Sequence, residues 1–335
     1  MRRVVLPTIG TGLLVLACGL AGTPLTTSAR AAAEKTTPFL LEPVYQDKAP
    51  LWAAIDPEFQ HKLEKILTEL ELDDEATEKR LGVALVDLTN PERPRVAAIN
   101  PDEMMYAASL PKIAVLLAAF EQIEADQLPY DDAILAQLTR MIRFSSNADA
   151  SALMDRVGKA YIANILTSSK YRLYDPRHGG GLWAGKNYGA GGVWRREPIK
   201  NLSHAATPMQ IARFYYMLAR GDLVSPGASR AMREILAGSG LQHKFVAGMN
   251  SVTGDARVHR KSGSWSNWHA DSALIEHRGR TFIAAGLADD PQGGAWLKDL
   301  IVKFDELIRA TPVRGEEIHW VRRSGTSAAL ASQHR

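Results

Sequence analysis

A serine and a lysine stand three residues apart in the segment Ser109-Leu110-Pro111-Lys112. If a helix starts at Ser109, the two side chains occupy neighbouring positions of one helix face, and the amine reaches the hydroxyl. Pro111 agrees with a first helical turn, where its missing N–H has no partner in any case. A free N–H on Ser109 would point outward, toward an oxyanion. The pair is therefore suited to nucleophilic attack by the hydroxyl, with the amine as its base.

The alternative is that Ser109 only caps the helix and Lys112 is solvated. Lys112 precedes the apolar segment 113–120, which is typical of a buried helix. An unpaired ammonium in such surroundings costs free energy and has a lowered pKa. This context favours the chemical interpretation.

Two further polar motifs follow: SSN at residues 145–147, at a predicted helix start, and KSG at residues 261–263, at the end of a predicted strand. At this point the sequence resembles the serine β-lactamase and penicillin-binding protein superfamily. The signatures of that superfamily, S-x-x-K, S-D-N and K-T-G, read S-L-P-K, S-S-N and K-S-G here, in the same order. The resemblance covers about residues 81–308 and is strongest toward the class A β-lactamases.

The resemblance implies a role for each motif residue. Ser109 is the nucleophile, Lys112 is a candidate base for acylation, and Ser145 relays a proton to the leaving nitrogen. Lys261 supplies positive charge near Ser145 and the substrate, and Asn147 binds the amide side chain of the substrate.

The same resemblance implies an oxyanion hole formed by the N–H groups of Ser109 and Ser264, each donor being worth roughly 3 to 4 kcal/mol. Ser262 and Gly263 belong to the same substrate-binding strand. We expect no cofactor, because this chemistry needs none, and no metal, because the nine histidines show no ligand spacing.

The base for deacylation is left open. Class A β-lactamases use a glutamate to activate the hydrolytic water, and residues 197–201, EPIKN, match the E-P-x-x-N pattern of the family. Glu197 precedes a predicted helix over 207–220, but it follows a glycine-rich segment, 179–192, that reads as a functional loop without regular structure. Glu197 is either the water-activating base or a solvated loop carboxylate.

The sequence departs from the family at two points, of which the first is tolerable because that position has a structural role, and the second leaves the substrate open. Ser146 replaces the aspartate of the second motif, and the strand after Lys261 lacks the arginine that often binds the β-lactam carboxylate in class A enzymes. A hydrogen-bonded pair of His269 and Asp271 on the sheet is one alternative for that strand. Four tryptophans in segments expected near the cleft either stack on the substrate or pack in the core; they are Trp183, Trp194, Trp265 and Trp268.

The order of elements predicts an α+β fold of the β-lactamase/DD-peptidase type. One antiparallel sheet assembled from both chain ends is flanked by helices, with an all-helical subdomain between them. Predicted strands cover 81–88, 95–100, 256–261, 272–276 and 281–287. Predicted helices start at 57, 109, 132, 147, 207 and 295.

The N-terminus predicts export. Arg2 and Arg3 precede a short apolar run and a small-residue segment, so residues 1–31 are a secretory signal. Residues 32–54 are expected to be a linker, 55–312 the hydrolase domain and 313–335 a polar tail. Cys18 either ends a lipoprotein signal and carries a lipid anchor, or leaves with the signal.

Charge and cysteine content exclude several classes. The formal net charge is +3, and removal of residues 1–31 takes away three arginines and no acid, so 3 − 3 leaves zero. Nothing electrostatic then argues for nucleic acid, and one cysteine allows no internal disulfide. We expect a monomer without a transmembrane helix in its mature form, in the periplasm or cell envelope. Its partner would be a β-lactam or a peptidoglycan-type peptide.

Three functions remain in competition. The first is a secreted β-lactamase acting through a Ser109 acyl-enzyme. The second is a penicillin-binding-protein-like D-Ala carboxypeptidase or another amide or ester hydrolase. The third is a non-catalytic cell-envelope binding protein. A binding protein would not need all four of the residues Ser109, Lys112, Ser145 and Lys261, so their presence argues against it.

Overall fold

A five-stranded antiparallel sheet is assembled from both ends of the chain in this computed structural model, which describes residues 51–189 and 191–313. Its strand order is β2-β1-β10-β9-β8. The strands are β1 (Leu81–Asp87), β2 (Arg95–Ile99), β8 (Arg257–Trp265), β9 (Trp268–His277) and β10 (Arg280–Asp289). Two smaller sheets contain β3 (Met105–Tyr106), β4 (Tyr174–Asp175), β5 (Gly180–Gly181), β6 (Trp183–Ala184) and β7 (His204–Ala206).

The helices lie on both faces of the large sheet. They are α1 (Pro57–Glu69), α2 (Asp73–Thr77), α3 (Lys112–Glu124), α4 (Asp132–Arg143), α5 (Asn147–Val157), α6 (Lys159–Thr167), α7 (Pro208–Arg220), α8 (Pro226–Leu236), α9 (Phe245–Val252) and α10 (Gly293–Ala310). Helices α1 and α10 share one hydrophobic core with the sheet, and α7 packs on the opposite face.

Strand β1 is buried on both faces, which explains its unbroken apolar sequence. Alternate side chains of a strand point to opposite faces. Val83 and Leu85 therefore join the core beneath α1 and α10, while Ala84 and Val86 join the larger core on the side of the helical subdomain. The predicted α+β fold with a sheet made from both chain ends is confirmed.

Helix α3 is the centre of the helical subdomain. Its first nine residues are all buried, and it contacts α4, α5, α6 and α8. A helix that is apolar all round must be surrounded by protein, so the segment after Lys112 fixes α3 in the core. Lys112 itself begins the helix and faces the site.

Several boundaries differ from the predictions. The helix expected at Ser109 begins at Lys112, because residues 109–111 form tight turns in which Lys112 N–H donates to Ser109 O at 3.3 Å. Thr207 is the N-cap of α7 and precedes its first residue. The segment 179–192 contains β5 and β6 where no regular structure is expected. Residues 51–54, expected in the linker, form a 3₁₀ turn with Leu51 buried.

The two ends of the described domain meet at β2. Arg95 Nε lies 3.6 Å from Asp56 Oδ2, and Arg95 Nη1 donates to Pro312 O at 3.4 Å. Within the described ranges, no helix has the length and apolar character needed to cross a membrane. The predicted signal with Cys18, most of the linker and residues 314–335 of the tail lie outside the described residues, and the domain limits stay predictions.

Candidate active site

Ser109 and Lys112 come together at the start of α3. The Lys112 ammonium donates to Ser109 Oγ at 3.2 Å, and the lysine side chain is fully buried. Burial lowers the pKa of Lys112 to about 7. A large fraction of this amine is therefore neutral near pH 7, as a base that accepts the Ser109 proton must be.

Lys112 is also held by the loop that follows α4. Its Nζ lies 2.6 Å from Ser145 O, 3.2 Å from Ser145 Oγ and 2.8 Å from Asn147 Oδ1. The Tyr188 ring covers the amine, with its centroid 4.5 Å from Nζ. These contacts fix the amine beside Ser109 and bring the first two motifs into one cluster.

Ser145 lies between two buried lysines. Its hydroxyl accepts from Lys261 Nζ at 3.0 Å as well as from Lys112. Burial, and then the neighbouring charges of Lys112 and Arg260, hold the pKa of Lys261 well below the usual lysine value. The Ser145 backbone is in the left-handed region, with φ of 55°, and this turn aims its side chain between the two amines.

Ser146, which stands where the family motif has an aspartate, is the N-cap of α5. Its hydroxyl accepts from Asp149 N at 3.2 Å and so caps α5, whose first residue is Asn147. Serine is among the best N-cap residues. This cap fixes the start of the helix, and with it the position of Asn147.

The edge strand β8 passes directly against Ser109. A Cβ on Gly263 would lie 2.2 Å from Ala107 O and 2.8 Å from Ser109 N, so only glycine allows this approach. Within the described residues the Ser109 N–H donates no hydrogen bond. Ser109 and Ser264 line the same pocket, whereas Ser262 is buried opposite Asp271. The oxyanion hole of Ser109 and Ser264 stays a prediction.

Lys244, which sequence analysis missed, lies behind β8. Its ammonium donates to Gly263 O at 2.6 Å, Ser264 Oγ at 2.8 Å and Ala270 O at 3.1 Å. Burial lowers its pKa to about 8. It thus places a cation behind Ser264. No local sequence motif surrounds Lys244, so only the folded chain reveals it.

The predicted pair of His269 and Asp271 is wrong. Asp271 is fully buried and accepts from Arg260, whose Nη2 lies 2.7 Å from Asp271 Oδ2. Phe245 N also donates to Asp271, at 3.1 Å. Asp271 is therefore committed to a structural ion pair that joins β8, β9 and the start of α9.

A pocket of about 290 Å³ opens in front of Ser109. Its described lining residues are Tyr106, Ala108, Ser109, Asn147, Lys186, Tyr188, Gly189, His204, Ser264 and Trp265. No aspartate or glutamate is among them. Of the described lining side chains, Lys186 carries a positive charge and none carries a negative one, so the pocket is electropositive.

Glu197 is not among these lining residues, and its carboxylate is occupied by its own loop. Oε1 accepts from Lys200 N and Leu202 N at 2.7 and 3.0 Å, and Oε2 from Ile199 N at 2.7 Å and the Tyr174 hydroxyl at 3.0 Å. The residue is 1% exposed, so the expectation of a solvated carboxylate is wrong. Its role as the deacylation base stays a prediction.

A model of the beta-lactamase enzyme family matches residues 62–137 and 134–308, which is most of the chain. The chain belongs to the beta-lactamase enzyme family. The predicted resemblance is therefore confirmed. No curated protein matches the sequence of this beta-lactamase family member.

Solved structures share its fold at low sequence identity. PBP-A is 15% identical over 77% of this chain and 98% of its own, with a TM-score of 0.57. A beta-lactamase from Sphaerobacter thermophilus is 19% identical over 73% of this chain and 95% of its own, with a TM-score of 0.58. An ancestral class A beta-lactamase is 18% identical over 74% of this chain and 99% of its own, with a TM-score of 0.55.

The four tryptophans that are expected near the cleft of this beta-lactamase family member divide between the core, the surface and the pocket. Trp183 is 5% exposed and packs on the Tyr174 ring at 5.1 Å. Trp194 stacks with the Arg195 guanidinium at the surface. Trp265 lines the pocket and is 63% exposed, and it meets the Tyr106 ring edge to face with the ring centroids 5.6 Å apart. Trp268 is partly buried against the core.

Sequence analysis missed the four titratable side chains of the described lining: Tyr106, Lys186, Tyr188 and His204. The prediction of a functional loop over 179–192 was the available signal for Lys186 and Tyr188. His204 stands alone in the sequence, and its place comes from β7 pairing with β3 beside Ser109. Within residues 51–189 and 191–313, no group of three or more acidic, histidine or cysteine side chains could hold a metal.

Proposed function

We propose that this protein is a secreted serine hydrolase of the β-lactamase type, which opens the β-lactam amide through an acyl-enzyme on Ser109. The observation that carries the proposal is the contact between Ser109 Oγ and the buried Lys112 amine, whose pKa is about 7. A serine that only capped a helix would not need a desolvated amine beside it. The family membership of the chain supports the same reaction class.

Acylation follows from the positions of three side chains. Neutral Lys112 accepts the Ser109 hydroxyl proton as Oγ attacks the carbonyl carbon, and the carbonyl oxygen becomes an oxyanion. The carbon–nitrogen bond then breaks. The leaving nitrogen takes a proton through the Ser145 hydroxyl, which lies 3.2 Å from Lys112 Nζ and 3.0 Å from Lys261 Nζ. The products are the Ser109 ester and the opened amine.

Deacylation distinguishes two candidate functions. A β-lactamase hydrolyses the ester quickly, whereas a penicillin-binding-protein-like D-Ala carboxypeptidase keeps a long-lived penicillin ester. The Glu197 carboxylate already accepts four hydrogen bonds, and no carboxylate is among the described lining residues. This observation favours the second candidate, in which Glu197 holds its loop and the ester is hydrolysed slowly.

The time course of intact mass with benzylpenicillin tests the proposal. We expect a mass increase of one penicillin within seconds to minutes and none in Ser109→Ala. A persistent adduct in the unmodified sequence indicates the carboxypeptidase-like candidate, and a rapid return to the free mass indicates the β-lactamase. Absence of any Ser109-dependent adduct or turnover would contradict both and favour the non-catalytic binding protein.

Glu197→Gln separates the two roles of the glutamate. If Glu197 holds its loop, the amide loses charge and one acceptor, so we expect about 1 to 3 kcal/mol less stability to urea unfolding. The lifetime of the penicillin ester should then change less than about twofold. If Glu197 activates water, the ester lifetime rises by orders of magnitude while the fold is little affected. The two readouts therefore point in opposite directions.

A further inference from the structure

One wall of the pocket supplies no group that exchanges a proton or a bond in the proposed reaction. It consists of Lys186, Tyr188 and His204, and it lies against α5. The Tyr188 backbone is fixed there, because Tyr188 N donates to Ser151 Oγ and Ser151 Oγ donates to Tyr188 O, both at 3.0 Å. Asn147 begins the same helix. The wall is thus on the side of the pocket where Asn147 is expected to bind the acyl group of the substrate.

The buried polar groups of this wall have no protein partner. His204 is 2% exposed, and neither ring nitrogen has a hydrogen-bond partner among the described residues. Tyr188 is 8% exposed, and its hydroxyl is also unpartnered in that part of the chain. Buried polar groups are rarely left unpaired, so two such groups side by side indicate that a ligand completes them.

His204 is held as a neutral ring. It stacks on Tyr188 with ring centroids 4.3 Å apart and an interplanar angle of 2°. Burial, and then the charges of Lys186 and Lys112, lower its pKa to about 3. A neutral imidazole donates from one nitrogen and accepts at the other. Such a weak base is poorly suited to activating water near pH 7, but it is a good hydrogen-bond donor to a ligand.

Lys186 adds a charge without a counter-ion. Within residues 51–189 and 191–313 its ammonium has no carboxylate within ion-pair distance, in contrast to Lys159 and Lys170, which pair with Asp155 and Glu121. The wall therefore combines an ammonium, a phenol hydroxyl and an imidazole N–H. All three are donors, and their natural complement is an anionic oxygen group.

We propose that Lys186, Tyr188 and His204 form a subsite for a carboxylate carried on the acyl portion of the substrate. The inference rests on the proposed function, because it assigns the acyl side of the same pocket. The substrate class is then an amide with a second carboxylate on its acyl side, such as a peptide that ends its acyl branch in an acidic residue. The Lys186 ammonium pairs with that carboxylate, while Tyr188 and His204 donate to it.

Two penicillins that differ by one carboxylate test the subsite. Benzylpenicillin and α-carboxybenzylpenicillin share the ring carboxylate, and only the second has one on its acyl side chain. Their dissociation constants are measured by calorimetry on the Ser109→Ala chain, which separates binding from acylation. We expect the carboxylated compound to bind about ten- to one-hundredfold more tightly, as one charged hydrogen-bonded contact allows.

Substitution of Lys186 on the Ser109→Ala background should remove that preference. Lys186→Met should weaken α-carboxybenzylpenicillin by the same factor and change benzylpenicillin by less than about twofold, while Lys186→Arg should retain most of the preference. Lys65→Met, on an exposed face of α1, is the control and should change neither. Equal affinity for the two compounds, or equal losses in Lys186→Met, would overturn the subsite. Failure of unmodified Ser109 to form a penicillin ester would instead overturn the proposed function alone.

Discussion

Lys112 is useful as a base for the same reason that it is costly to the fold. Its ammonium is enclosed by α3, the loop at Ser145 and the Tyr188 ring, and this enclosure disfavours the charged form. Protein stability and reactivity are therefore linked through one proton. The four oxygens around Nζ stabilise the amine enough to keep it in place.

The linkage predicts how stability depends on pH. The pKa of Lys112 is about 7 in the folded protein and 10.5 in an unperturbed lysine. Between these values the unfolded chain binds the proton more strongly, so the free energy of unfolding rises with pH by up to about 1.4 kcal/mol per unit. Below pH 7 both states are protonated and the contribution is constant. Lys112→Met removes this slope.

Urea unfolding at pH 7, 8 and 9 measures the effect. We expect the stability of Lys112→Met, relative to the unmodified chain, to fall by roughly 2 kcal/mol from pH 7 to pH 9. The exposed control Lys65→Met should keep a constant difference over that range. A constant difference for Lys112→Met as well would show that the buried amine has an ordinary pKa.

At this scale the motif residues could be found from sequence because their spacing is local or their order is distinctive. Ser109 and Lys112 need only one turn of chain between them. The fold brings Ser145 and Asn147 to the same amine, and Lys261 to the Ser145 hydroxyl. Glu197 shows that a sequence motif can identify a residue without predicting its environment. The pattern identifies the residue, but not that its loop closes around the carboxylate and donates three backbone N–H groups to it.

Among the elements, β8 sets the distance between the sheet and the nucleophile. Its Gly263 lies against the backbone of residues 107–110. The atoms nearest to Gly263 are backbone atoms, which cannot move aside as the end of a flexible side chain could. A methyl group at this position must displace either β8 or the turn that holds Ser109. Displacements of about 1 Å at a reacting centre can cost about a hundredfold in rate.

Gly263→Ala should therefore reduce the acylation rate by benzylpenicillin about a hundredfold. Gly254→Ala is the matched control, because a Cβ at Gly254 meets nothing within 4 Å, and it should acylate normally. The rate of adduct formation is followed by mass spectrometry, and circular dichroism checks that both variants are folded. Normal acylation by a folded Gly263→Ala would refute the close approach of β8 to Ser109.

The elements that sequence predicted well are those with a long periodic or apolar signal. Helix α3 and strand β1 belong to this group, because both are buried on every side. Strands of two residues, such as β5 and β6, are too short to have a period, so the sequence predicts an irregular loop there. The predicted start of α3 is three residues early, because the turns at 109–111 satisfy the same local rules as a first helical turn.

On the scale of the whole molecule, the fold could be predicted because the order of elements restricts the topology. Strands at both ends with helices between them must pair across the sequence if they share one sheet, and β1 does pair with β10 along its whole length. The pocket wall could not be predicted in the same way. Lys186 and His204 come from separate segments and meet only because β6 and β7 pair.

The contacts of Arg95 with both ends of the described domain make the chain suitable for circular permutation. Because one guanidinium contacts both Asp56 and Pro312, a short glycine–serine linker can join residue 313 to residue 51. New ends can then be opened at the exposed turn of Arg278 and Gly279, between β9 and β10. We expect this circular permutant to fold cooperatively and to form the Ser109 ester with benzylpenicillin. A permutant that is folded by circular dichroism but not acylated would mean that the β9–β10 turn must be continuous for β8 to reach the nucleophile.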